Sequence, residues 1–203
     1  MNPGKETTMR YAISALMLTG LLMGACNKKE EAKTKVPEPA KAEAAPSKPE
    51  FATPDSFKVG LGKVYGGYLQ IGTALAHDDF QKAKDAFQSM HAVLHILPIE
   101  GMDMAASANW DSLDGRLMKV LHPMSASPDI STMRTHFADF TPLMLEAIEN
   151  FGLVGPDPVY LYHCPMARNN EGADWLQGDK KLLNPFYGGT MPKCGNLVEA
   201  VKL

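Results

Sequence analysis

The chain has 203 residues, enough for one or two domains. Its 45% hydrophobic and 21% charged content is that of a globular protein rather than a disordered one. Twenty Lys and Arg against 23 Asp and Glu leave a net charge of -3. That balance excludes the concentrated positive surface a dedicated nucleic-acid binder needs, so no nucleic-acid partner is expected. Three cysteines exclude a disulfide-dense miniprotein but leave room for one bridge or one sulfur site.

In chain order, the first predicted element is an address. Lys5 and Arg10 precede a largely apolar run from Tyr11 to Gly24, too short for a membrane-spanning helix of about 20 residues. A basic start, a short apolar middle and a small-residue end make a secretory signal. Its close, Leu22-Met23-Gly24-Ala25-Cys26, resembles a bacterial lipobox, with Met23 where Leu is more usual. That resemblance implies a signal peptide over 1–25, lipid on Cys26 and a membrane partner through the anchor. In a diderm host it implies the outer membrane, facing the periplasm. Only Cys164 and Cys194 would then remain as thiols, in an oxidising compartment.

Residues 26–56 read as a disordered tether. From 27 to 56 the chain carries six lysines, six acidic residues and prolines at 37, 39, 46, 49 and 54. Such a stretch buries too little apolar area to offset its ordering entropy. The remainder, 57–203, is long enough for one core.

Apolar periodicity predicts four helices there. The first spans about 57–77 on the stripe Leu61, Val64, Tyr65, Tyr68, Leu69 and Leu75. The second, capped by Asp78 or Asp79, carries Phe80, Ala83, Phe87, Met90 and Leu94. The third covers about 105–121 around Trp110, Leu113, Leu117 and Val120, stopped near Pro123. The fourth runs about 129–151 through Ile130, Met133, Phe137, Phe140, Met144 and Ile148, with a kink expected at Pro142. Short connections between amphipathic helices favour a mainly α fold, an antiparallel four-helix bundle. The last 50 residues are punctuated by Gly, Pro and Asn, with Val159–Tyr162 extended. They predict an irregular C-terminal lobe with room for a short hairpin.

Chemistry concentrates in that lobe. It contains Cys164-x-Met166, a long interval, then Met191-x-x-Cys194, with His163 beside the first cysteine. Thiolate and thioether are soft ligands that select Cu(I) or Ag(I) over Mg or Ca. Pro165 and Pro192 stiffen the two segments, which could converge to supply two to four ligands. The candidate metal ligands are therefore His163, Cys164, Met166, Met191 and Cys194. The alternative is a disulfide between Cys164 and Cys194, worth roughly 3–4 kcal/mol by loop closure; Met166 and Met191 then become core fillers. Trp175, Phe186 and Tyr187 read as packing anchors. His91 and His95, one helical turn apart, and Met102, Met104, His122 and Met124 read as ordinary surface or end-plugging residues.

The strings YHCPMA (162–167), GADWLQ (172–177) and NPFYGGTMPKCG (184–195) resemble a bacterial family of extracytoplasmic domains of unassigned function. Its pattern is CPMA, Gly-Ala-x-Trp-Leu, Asn-Pro-aromatic-aromatic-Gly and Met-x-x-Cys-Gly. Its members stand alone as lipoproteins or extend periplasmic adaptor subunits of heavy-metal efflux pumps. The resemblance implies a helical bundle, an envelope location and a link to copper or related metals, with an efflux adaptor as a candidate partner. The first string is also similar to the CPMHP motif of short heavy-metal-binding modules, with Ala167 in place of its histidine. No GxSxG, HExxH, phosphate-loop or CxxCH pattern is present, and no enzymatic activity is expected. Two functions remain in view: a lipid-anchored envelope protein binding soft metal, most plausibly Cu(I), or a disulfide-stapled module that docks another envelope protein without metal.

Overall fold

A computed structural model describes residues 49–201; Cys26, the signal peptide and most of the proposed tether lie outside the described residues. Four long helices form a bundle: α1 (Asp55–Ala76), α2 (Phe80–Leu94), α3 (Met104–Ser125) and α4 (Ile130–Phe151). Three begin with an acidic cap, expected from the sequence for the second alone. Asp79, Asp103 and Asp129 accept from the backbone N–H three residues on, at 2.8–2.9 Å. The core is aromatic at one end, where Phe57, Trp110 and Phe151 meet edge to face.

Three boundaries differ from expectation. Residues 50–54, read as the end of the tether, lie along the last turn of α4. Phe51 stacks on Phe151, its amide donates to the Asn150 carbonyl at 2.8 Å, and the buried Thr53 hydroxyl donates to the Phe151 carbonyl at 2.8 Å. The second difference is Pro123, which does not stop α3: the helix runs two residues further. The missing donor falls in the last turn, and Met124, which follows it, is buried in the core. α4 continues unbroken through Pro142. The third is the lobe, whose extended segment pairs on both sides.

There β1 (Val159–Cys164) is the central strand of an antiparallel sheet ordered β2-β1-β3, with β2 at Ala173–Gln177 and β3 at Asn196–Val201. Cys164 pairs with Ala173, His163 with Asp174, and Tyr162 with Trp175. On the other edge the β3 register shifts between Leu161 and Tyr162. The sheet is seated on the bundle through Tyr68 of α1, whose buried hydroxyl accepts from the Leu176 amide at 3.0 Å and bonds the Thr141 hydroxyl at 2.7 Å. Phe186 bridges Phe137 of α4 and Trp175 of β2, and Tyr162 stacks on Trp175 at 5.2 Å. Trp175 and Phe186 are thus the packing anchors expected of them.

Close approach is built into α1. A Cβ on Gly62 would sit 2.0 Å from the Val154 carbonyl oxygen, so only glycine lets the segment after α4 cross the helix there.

Candidate functional site: an adjacent pair of cysteines

The folded lobe brings Cys164 and Cys194 together. Cys164 is the last residue of the central strand and is fully buried; Cys194 reaches it from the loop before β3. Both are thiols, with their sulfur atoms 3.5 Å apart. The loop comes this close because Gly195, at φ 139°, has no side chain: a Cβ there would lie 2.6 Å from the Trp175 ring and 2.9 Å from the His163 carbonyl.

A third residue holds the pair, and its role was not anticipated. Asn184 is completely buried. Its amide nitrogen donates to the Cys194 carbonyl at 2.5 Å and faces the Cys164 sulfur at 3.2 Å. Its amide oxygen accepts from the backbone of Phe186 at 2.7 Å and of Tyr187 at 3.2 Å. One side chain thus ties the strand end, the cysteine loop and the intervening turn together. The sequence signal was the Asn-Pro pair opening the third string, a turn-forming dipeptide whose asparagine bonds the backbone ahead of it.

The other predicted ligands are placed unequally. Met166 is two-fifths exposed, and its carbonyl accepts from the Tyr187 hydroxyl. The Met191 carbonyl accepts from the Cys194 amide at 3.2 Å, so its backbone is part of the cysteine turn. His163 is turned elsewhere. Successive strand residues point to opposite faces, and its Nδ1 meets the Asp174 carboxylate at 2.7 Å instead of the sulfur pair.

Electrostatics favour a protonated Cys194. The Cys164 sulfur, hydrogen-bonded to Cys194, pushes the Cys194 thiol up from its ordinary range; burial adds to this, and the Met166 amide acts in the opposite sense. A soft cation must displace that proton, so binding would release protons. The spacing is tighter than a linear two-coordinate ion would set, about 4.6 Å for two bonds of about 2.3 Å, so such an ion must spread the sulfurs or take further donors. For metal–thiolate bonds of about 2.3 Å, a 3.5 Å separation corresponds to an angle of about 100° at the metal. A covalent sulfur–sulfur bond requires the atoms to come about 1.5 Å closer. Among the described residues no three His, Cys, Asp or Glu side chains assemble as a metal cage. A soft ion here would rest on the two cysteine sulfurs.

Away from the lobe, the His91 and His95 rings meet edge to face at 4.3 Å on α2. Burial, then the neighbouring His95, hold the His91 imidazole below its usual range, so it is neutral at pH 7.

Residues 64–154 match a family model described as "Protein of unknown function (DUF3347)". The match runs from within α1 to just past α4, and the sulfur-bearing lobe lies beyond it. No curated protein and no solved structure matches the chain.

Proposed function

We propose that this chain is a cell-envelope protein, anchored by lipid on Cys26, that binds a soft monovalent metal, foremost Cu(I), through Cys164 and Cys194. The observation that carries the reading is the pair of adjacent thiols, one buried and one partly exposed, held together by Asn184. Met166 and Met191 are the nearest thioethers in sequence to the pair, and the Met191 carbonyl accepts from the Cys194 amide. Burial of Cys164 protects a bound ion from exchange with water, and the partly exposed Cys194 gives it a way in. The match to a family of unassigned function is compatible with this reading and does not specify it. A link to heavy-metal efflux, through an adaptor subunit, belongs to the same proposal.

The test is a competition titration of the reduced chain with Cu(I) against a chromophoric chelator. Sub-micromolar binding is expected, and Cys194→Ser abolishes it. The rival is the stapled interaction module, which uses the same proximity. It predicts no thiols in protein isolated without reductant, no stabilisation by copper, and a large stability loss on reduction. No measurable binding by the reduced chain removes the metal reading.

A further inference from the structure

The geometry points to a second metal site, for a borderline divalent ion such as Cu(II), Ni(II) or Zn(II), on the paired imidazoles of His91 and His95. His91 is in the last turn of α2 and His95 is its C-cap with helical φ and ψ, so the two, four apart, stand on one face. Their rings are already in contact at 4.3 Å, and the His91 ring is held in place by stacking on Phe87 at 5.4 Å and 16°. Of the other imidazoles, His77 bonds the Thr73 carbonyl and His163 the Asp174 carboxylate, whereas the rings of His122 and His136 have no protein partner among the described residues, so what sets the α2 pair apart is its ring contact. Among the described residues the His91 and His95 rings have no such partner, which leaves their nitrogen lone pairs to a ligand. His95 is exposed and His91 half-buried, so an ion reaches the pair from solvent.

Imidazole suits Cu(II), Ni(II) and Zn(II), whereas thiolate and thioether suit Cu(I). The α2 site therefore selects a different class of ion from the lobe, and it stands whether or not the sulfur pair binds metal. Asp114 and His122 of α3 lie near enough to bear on the charge of His91. They are not within a common coordination sphere, so water completes the shell. Within the first-row series, affinity is expected to rise from Ni(II) to Cu(II) and fall again at Zn(II).

The test follows the histidine ring resonances of the full-length chain by NMR as Ni(II) is added. One saturable equivalent should broaden His91 and His95 first. His95→Gln, an exposed change that leaves the core untouched, should remove the saturable phase, while Cys194→Ser should leave it intact. His122→Gln should not move its midpoint. Broadening spread evenly over His77, His122 and His136 without saturation overturns the inference. So does a saturable phase that survives His95→Gln.

Discussion

Replacing Asn184 with alanine probes the arrangement of the lobe most directly. The change removes three hydrogen bonds between its amide and backbone groups: from Phe186 and Tyr187 to Oδ1, and from Nδ2 to the Cys194 carbonyl. It also removes the weaker contact with the Cys164 sulfur. At a net 1 kcal/mol or so for each strong bond, the loss is about 3 kcal/mol, in line with leaving buried donors unpaired. At a urea m-value of about 2 kcal/mol/M the midpoint should fall by about 1.5 M. The measurement is urea denaturation of the reduced chain, followed by near-ultraviolet circular dichroism, to which Trp175 contributes. Asn184→Asp separates the two halves of the argument. It keeps an oxygen for Phe186 and Tyr187 but turns a second acceptor on the Cys194 carbonyl and the Cys164 sulfur. Its loss should be comparable at neutral pH and smaller in acid, where the protonated carboxyl can donate. A midpoint shift under about 0.3 M for Asn184→Ala would refute the claim that this side chain organises the sulfur pair.

Other expectations rest on separate features. Asp78 sits at φ 59° after α1, its carboxylate bonded by the Arg134 guanidinium at 2.6 Å and the Gly189 amide at 2.9 Å. Arg134 and then Gly189 hold its acidity below the usual carboxylate range. The stability it contributes is present above about pH 4 and lost as acid protonates it. Thermal melts of Asp78→Asn should therefore fall below the parent at pH 7 and converge with it toward pH 3. In α1, Gly66→Ala places a Cβ in open space and should stabilise by about 0.5–1 kcal/mol, through helix entropy alone. Gly62→Ala drives a Cβ into the Val154 carbonyl and should cost about 1–3 kcal/mol. Chemical denaturation of both variants gives opposite signs if α1 is packed as described.

The four helices were legible because each carries a long apolar stripe and most an acidic cap, signals that are local in sequence. The segment 50–54 was not, because Pro54 and the proline- and charge-rich residues before it outweigh the two residues that dock it, Phe51 and Thr53. The stop expected at Pro123 failed because the burial of Met124 extends the helix past the missing donor. In the lobe, the extended stretch before Cys164 showed in the sequence, but β3 did not. Leu197 and Val198 are both about half exposed, so the strand lacks the alternation of a half-buried edge. That Cys164 and Cys194 meet depends on a turn that Asn184 assembles, a long-range arrangement no spacing rule contains. Its place beside Cys164 made His163 a candidate ligand, but neighbouring strand residues face opposite ways and Asp174 takes its ring.

The two cysteines belong to parts of the sheet with different fates. Cys164 ends the strand that is flanked on both sides, while Cys194 leads into an outer strand whose side chains are half in solvent. Fraying of that margin would loosen the segment that carries one sulfur while the other stays paired, with the Asn184 bond to the Cys194 carbonyl as the remaining tie. Cargo held between them could thus be surrendered by unzipping the last few residues, at far less expense than melting the body.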